Sequence, residues 1–377
     1  MNRKILHITS WYPNSWNDIE GIFIHEHYRL YSKVFDSHLI NVQIKEGKKI
    51  FEYQHREYSK DEEGYYIFTK IKSQKIIELL TTFLLLWVLF KSSYKNYNLI
   101  HFHIAYPLLI DYFLWKKIIK VPILISEHWS VYHFNFYMPL STKKLNGIKR
   151  IFRQNIPLVT VSKALLKDIE EFVGVKIAQT KIIPNAIDEN CFYFKKTPSN
   201  KVVHFFIVNH WRKIKNPFPL LEGFAKLASS NIDFILNIGG AGELEEEMKI
   251  FVKRYGFEDK VQFFGKMNKV QIAEQLYRSD AYLYSSEYET FSVVSAQALC
   301  CGIPLIGPAI PAILEYTDET SLLALEENTP IEWERVLKNF IANRDNYNHK
   351  QIAENINLYL SSSSIQKSYK DLINEWF

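Results

Sequence analysis

The chain has 377 residues, is 47% hydrophobic and 23% charged, and carries a formal net charge of +5. That length exceeds what one hydrophobic core usually supports, so two domains are expected, and the composition excludes a disordered chain. Three cysteines, Cys191, Cys300 and Cys301, are too few for a disulfide framework and fit a reducing cytoplasmic setting.

The start Arg3-Lys4-Ile5-Leu6-His7-Ile8-Thr9 has a basic pair but only a short apolar run. It reads as a first strand, not a leader. Further strand-like runs fall at 36–43, 99–103, 122–126, 158–161 and 181–183. A second series falls at 202–208, 233–239, 261–265, 281–284 and 304–306. Helical patterns lie between them, which predicts parallel sheets built from βαβ units and two Rossmann-like domains. The boundary is expected after Asp188, with the polar stretch 195–201 as linker. The domains then run 1–188 and 189–360, and 361–377 closes the chain as an amphipathic helix.

The apolar run 76–90 is interrupted by Glu78 and two threonines and is too short to span a bilayer. A core helix is its plain reading. Lys70, Lys72 and Lys75 before it and Lys91 and Lys95 after it give it a second one, as a helix that docks on a surface. Residues 1–190 hold 26 Lys and Arg against 18 Asp and Glu, whereas 191–377 hold 20 against 23. A basic first half suits an anionic membrane or a phosphate-bearing lipid acceptor. No nucleic-acid motif accompanies the charge, so nucleic acid is not expected as a partner.

Several loops at strand ends carry chemistry. Trp11-Tyr12-Pro13 leads to Glu20-Gly21 before a helix, and Ser126-Glu127-His128 ends a strand, as does His101-x-His103. The two histidines of the latter raise the question of metal, but no matched Cys or Asp cluster accompanies them. Asn209-His210-Trp211-Arg212-Lys213-Ile214-Lys215-Asn216 is a basic turn, and Gly239-Gly240-Ala241-Gly242 a glycine-rich one. In Ser285–Gly302 a strand runs into a loop with Glu287 and Glu289, then a helix starting near 291–292 that Gly302 stops. Free first-turn amides beside a carboxylate can hold a sugar phosphate, the amides taking phosphate and the carboxylate taking hydroxyls. There is no Asp-x-Asp and no G-x-x-x-x-G-K-[ST], so neither a metal-chelating transferase signature nor a phosphate-binding NTPase loop is present.

Taken in order, these motifs resemble the retaining glycosyltransferases of family 4. The resemblance implies an α/β chain of GT-B fold: two Rossmann-like parallel-sheet domains facing a cleft, with a C-terminal helix crossing back to the N-terminal domain. It implies a nucleotide-sugar donor, UDP-linked before GDP-linked, no metal requirement, and a glycan or lipid-linked acceptor. Bacterial surface polysaccharide or lipopolysaccharide assembly, with peripheral association at the inner face of the membrane, is the expected setting. By resemblance, His128, Glu289 and Lys215 are the catalytic candidates. Gly21, His210, Arg212, Gly240, Thr290, Phe291, Ser292, Val293 and Gln297 would bind the donor. The chain departs from the family pattern at Asn209 and His210, where Gly and Arg are usual, and at Gln297 and Ala312, where Glu is usual. A nucleotide-sugar epimerase of the same fold and a non-catalytic binding subunit are the alternatives.

Overall fold

A computed structural model describes residues 3–14, 16, 20–136, 140–195 and 201–377. The linker expected at 195–201 lies mostly outside the described residues. The chain forms two compact units, Met1–Ala186 together with Ser362–Phe377, and Ile187–Ser361.

The first unit is built on strands β1 (Lys4–Thr9), β2 (Asp36–Glu46), β3 (Glu52–Ser59), β4 (Glu62–Thr69), β5 (Leu99–His103), β6 (Ile123–Glu127), β7 (Leu158–Thr160) and β8 (Thr180–Ile182). Their order in the sheet is β3-β4-β2-β1-β5-β6-β7-β8. All neighbours are parallel except β3 and β4, which form an antiparallel hairpin. The helices are α1 (Ile22–Tyr31), α2 (Gln74–Lys91), α3 (Tyr112–Trp115), α4 (Thr142–Phe152) and α5 (Lys163–Val173). Ser162 caps α5, its side chain accepting from the Leu165 amide, a contact worth about 1 kcal/mol.

The second unit contains β9 (Val203–Val208), β10 (Phe234–Gly239), β11 (Val261–Gly265), β12 (Ala281–Leu283), β13 (Leu305–Pro308) and β14 (Leu322–Leu325). Its sheet order is β11-β10-β9-β12-β13-β14, parallel throughout. This is the doubly wound order, and its direction reverses between β9 and β12. Helices α6 (Phe218–Ser229), α7 (Glu245–Arg254), α8 (Lys269–Arg278), α9 (Val293–Cys300), α10 (Pro311–Leu314), α11 (Pro330–Asn343) and α12 (His349–Leu360) complete it. Asn268 and Gln271 form a reciprocal capping box at the start of α8.

Helix α13 (Ser362–Trp376) returns to the first unit. Ile365, Tyr369, Leu372 and Ile373 are buried in one cluster with Ile5, Leu30, Leu99 and Leu124. Full burial of four such side chains corresponds to roughly 6–12 kcal/mol of transfer free energy before the entropy of ordering them is subtracted. The helix is therefore an integral part of that core.

Three strands are absent from the sequence expectation. β3 and β4 form a hairpin whose outer strand Glu-Tyr-Gln-His-Arg-Glu-Tyr-Ser alternates half-buried and exposed positions. It has few aliphatic residues, so it does not stand out as an apolar run. β14 is four residues long. The run 76–90 falls within α2, which is buried on one face only: Thr81, Leu84, Leu85, Val88 and Leu89 point inward.

Candidate functional site

In the second unit, the loops after β9 and β12 meet where the sheet order reverses. Lys215 Nζ lies 2.5 Å from Glu289 Oε1. Ser286 Oγ donates to the same carboxylate oxygen at 2.7 Å. Two further bonds brace the loops: Ser285 Oγ donates to the Lys215 carbonyl at 2.6 Å, and the Glu287 amide donates to the Ile214 carbonyl at 3.0 Å. Asn216, with φ of 37°, turns the chain sharply after Lys215 and into α6.

Beyond Glu289, Thr290 and Phe291 lead to Ser292, the N-cap of α9, which has a left-handed backbone. The Ser292 side chain does not cap the helix; its hydroxyl pairs with Ser295 Oγ at 2.7 Å. The first-turn amides, beginning with Val293, are thus left without a side-chain cap, and an anion is stabilised there by amides and dipole together. Tyr316 fixes the entry from outside, its hydroxyl donating to the Phe291 carbonyl at 2.7 Å. Gln297 lies four residues after Val293 and so on the same face of the helix. Its side-chain oxygen is buried with no hydrogen-bond partner among the described residues.

The loop after β9 is fastened to the glycine-rich turn after β10. Trp211, fully buried, donates from its ring to the Gly239 carbonyl at 2.9 Å and from its amide to the Ala241 carbonyl at 3.0 Å. His210 is exposed, and its Nδ1 donates to the Ala241 carbonyl at 2.8 Å. That bond places the proton of a neutral ring on Nδ1 and leaves Nε2 as a lone pair. Arg212 is exposed and its guanidinium has no carboxylate partner among the described residues. Gly240 has φ of +93°, and a Cβ there would lie 1.8 Å from the Asn209 carbonyl oxygen. This glycine is dictated by the contact of two loops as much as by any ligand.

Ala312, where the family pattern has Glu, is fully buried in α10. Cys300 and Cys301 are both buried at the end of α9. Burial pushes both thiols up, Cys301 to about 12, which makes them inert packing groups.

In the first unit, His128 follows β6 and is 7% exposed. Its Nδ1 lies 3.0 Å from Asn185 Oδ1, and the same oxygen is 3.3 Å from His27 Nε2. A carbonyl oxygen only accepts, so both ring nitrogens donate. His27 Nδ1 then accepts from the Tyr369 hydroxyl at 2.8 Å. The consequence for His128 is an unprotonated Nε2, buried and without a partner among the described residues. Burial, then neighbouring His27, holds the His128 pKa well below its usual value, so the ring is neutral. Gly21, at the start of α1, has φ of +65°, and a Cβ would meet the Trp11 carbonyl oxygen at 2.5 Å. The turn closes on its own loop, which accounts for the glycine without a ligand.

Two residues of this unit have a place that their sequence positions alone do not give. The first is His7, which the parallel register sets opposite His101. His7 Nδ1 is 3.0 Å from His103 Nε2, and His7, His101 and His103 each offer a ring nitrogen within 4.8 Å of the others. No matched Cys or Asp accompanies His101 and His103 in the sequence, yet the fold sets a third histidine beside them. A lone His at the middle of the strand paired with a His-x-His strand is the signal that could have found it. All three are fully buried, and burial lowers each pKa, His7 to about 3. The second is Glu127, whose Oε1 accepts from the Ala105 amide and the Tyr132 hydroxyl, each at 2.7 Å. Burial pushes its pKa up to about 7 despite those bonds. A carboxylate ending an otherwise apolar strand was its trace in the sequence.

A doubly wound parallel sheet with a lysine–carboxylate pair and uncapped helix amides at its reversal point defines an α/β protein with an anion-suited site at its switch point. Family models narrow this. One described as Glycosyltransferase Family 4 matches residues 53–190, and one described as Glycosyl transferases group 1 matches residues 192–375. The chain belongs to the family 4 glycosyltransferases. A curated relative, N-acetyl-alpha-D-glucosaminyl L-malate synthase of Bacillus anthracis, is 29% identical over 253 residues, 63% of this chain and 64% of the relative. A glycogen synthase of Mycobacterium tuberculosis is 23% identical over 44% of this chain and 40% of its own length. The chain thus spans less than two thirds of these relatives.

Solved structures define the fold as GT-B. Sucrose-phosphate synthase from Thermosynechococcus elongatus superposes with a TM-score of 0.77 at 16% identity, covering 99% of both chains. The lipopolysaccharide outer core galactosyltransferase WaaB gives 0.75 at 16%, over 99% of this chain and 100% of its own. Anabaena Alr3699/HepE, solved with UDP and glucose, gives 0.73 at 13%, with the same coverage.

Proposed function

We propose that this chain transfers a hexose or related sugar from a nucleotide-sugar donor, with retention, to a glycan or lipid-linked acceptor. The donor is UDP-linked and binds the second unit without metal; the acceptor binds the first. The setting is bacterial surface polysaccharide or lipopolysaccharide assembly, in the cytoplasm at the inner face of the membrane. The observation that carries this reading is the Lys215–Glu289 pair beside the uncapped start of α9. The likeness to structures holding UDP and UDP-glucose supports the choice of donor, and the likeness to a lipopolysaccharide galactosyltransferase supports the setting.

The chemistry follows from the charges. The bond from the anomeric carbon to the diphosphate breaks, and a bond to the acceptor oxygen forms on the same face. The acceptor proton passes to the departing phosphate oxygen. Lys215, Arg212 and the amides of 290–293 stabilise the charge that grows on the diphosphate, the largest single contribution expected in such a site. Glu289 accepts from sugar hydroxyls, His128 accepts one at Nε2, and Gln297 takes the ribose. His210 and Gly240 line the phosphate side.

The test is calorimetric titration with UDP-, GDP-, ADP- and TDP-sugars in a chelator, followed by an acceptor screen on the donor that binds. The screen includes lipid-linked glycans and, because of the Bacillus relative's name, L-malate. Binding of a UDP-sugar, transfer abolished in Glu289→Ala, and an anomeric configuration preserved by NMR are the expected results. Donor conversion without any acceptor would replace transfer by epimerisation. Donor binding with no turnover on any acceptor would replace it by a non-catalytic role.

A further inference from the structure

Helix α2 has an apolar face that the first unit leaves largely exposed, with Trp87 edge-on to Tyr53 and Tyr65 and Phe90 edge-on to Tyr94. Ile76, Leu79, Phe83, Trp87 and Phe90 recur every three or four residues and form one stripe. They are 40–69% exposed, with Phe83 at 69%. The opposite face is also apolar and packs into the unit. Over the stripe's fifteen residues the helix rises about 21 Å. Among the described residues no helix is long and apolar enough to cross a membrane, so this stripe is a surface and not a span.

The chain segments that flank it in sequence carry one sign of charge, while the β3–β4 hairpin beside Trp87 brings Glu57 and Glu63. Between residues 70 and 120 the chain has eight lysines and only two acidic residues, Glu78 and Asp111. Both acids are occupied away from the stripe. Glu78 Oε1 is 2.7 Å from Lys144 Nζ, and Asp111 Oδ2 accepts from Thr82 Oγ1 at 2.9 Å. Lys70, Lys72, Lys75, Lys91 and Lys95 are all exposed and sit at the two ends of the stripe. The Thr82–Asp111 bond, and one from the Tyr94 hydroxyl to the Ile118 carbonyl, tie the α3 segment alongside. That segment adds exposed Phe113, Leu114 and Ile118.

We infer that the outer face of α2 docks the first unit on an anionic lipid bilayer, its apolar stripe entering the headgroup boundary and its flanking lysines meeting lipid phosphates. An apolar stripe with lysines at both ends matches such a surface in both chemistry and charge. A second copy of this chain matches it poorly. Pairing α2 on α2 sets basic ends on basic ends in either direction, and like charges oppose that contact. The inner face of the same helix supplies Gln74, Ile77, Glu78 and Thr81 to a cavity of about 650 Å³ that Trp11, Trp16 and Lys45 also line. Docking would therefore bring a lipid-anchored sugar to a cavity next to the loop after β1. That purpose rests on the acceptor-side reading of this unit; the docking does not.

The experiment is sedimentation of the full chain with vesicles of phosphatidylglycerol and phosphatidylethanolamine, and with phosphatidylcholine vesicles alone, without nucleotide or acceptor. Expected is binding to the anionic vesicles only, weakened by salt, and reduced ~10-fold or more in Leu79→Glu/Phe83→Glu. The milder Leu79→Ser/Phe83→Ser should also weaken it. Unchanged far-UV circular dichroism and first-unit hydrogen exchange in both variants confirm that they fold, and Glu289→Ala should still sediment. No binding to anionic vesicles, equal binding by both variants, or a dimer that Phe83→Glu dissociates in solution would overturn the inference.

Discussion

Lys215 and Glu289, 74 positions apart in sequence, hold each other across the loops after β9 and β12 at 2.5 Å. Under the proposed function each is the group the other gives up, in part, when donor binds: Lys215 to the diphosphate and Glu289 to the sugar. The two halves of the donor can therefore be separated by mutation. Glu289→Gln frees the lysine, so UDP alone should bind as well as or better than in the native protein. UDP-sugar should lose its advantage over UDP, by about tenfold for a lost charge-assisted bond. Calorimetry with both ligands reads the ratio, and an unchanged ratio would remove Glu289 from the sugar.

Lys215→Met should lower kcat by about 10²–10³-fold, the usual cost of removing one group that stabilises developing charge. The change is expected mainly in kcat, because the charge on the leaving diphosphate grows as the bond breaks. A matching loss in donor affinity with kcat intact would make Lys215 a binding group only.

Gln297 has a buried side-chain oxygen with no partner among the described residues, and under the proposed function it accepts from a ribose hydroxyl. Gln297→Leu should weaken UDP binding roughly tenfold and leave the melting temperature nearly unchanged, since no internal bond is lost. His210→Arg tests the other departure from the family pattern. A permanent cation there should tighten UDP and steepen the salt dependence of its binding. Titrations at two salt concentrations compare both variants.

Much of the fold could be read from sequence because apolar runs and their turn signals are local. The first strand and the stop of α9 at Gly302 sit where patterning puts them. The hairpin β3–β4 was not legible because its outer strand is polar on one side and short of aliphatic residues on the other. In the candidate site, Glu289 and Lys215 were legible as motif residues, but their pairing was not: it depends on which strands are neighbours. His7 was legible as a strand histidine but its neighbours were not, because only the β1–β5 register sets it opposite His101.

Gly240→Ala should destabilise the second unit by more than about 2 kcal/mol. The new Cβ would lie 1.8 Å from a backbone oxygen at a left-handed φ, and neither neighbour is a flexible side-chain end. The first unit should be unaffected, so hydrogen exchange resolved along the sequence should rise in residues 203–360 only. Uniform exchange changes across both units would show that they unfold as one.

The buried histidines make the first unit sensitive to acid. His7 is held down to about 3 and His27 to about 4, with burial the leading cause; His101, His103 and His128 shift the same way. In the unfolded chain each titrates near 6.5. Their stabilising contribution is therefore present above 6.5 and is lost as pH falls below it, because the unfolded state takes protons that the folded state refuses. Glu127, raised to about 7, opposes this between its unfolded value and 7, where the folded state keeps a proton that the unfolded state has released. One carboxyl offsets one histidine. His7 and His27 alone then leave a net slope of about 1.4 kcal/mol per pH unit, and the other three steepen it. Calorimetric unfolding from pH 4.5 to 8 should show the first unit's midpoint falling below pH 6.5, with the second unit much flatter. His101→Gln should reduce the slope, and a first-unit midpoint independent of pH would mean that these imidazoles are open to water.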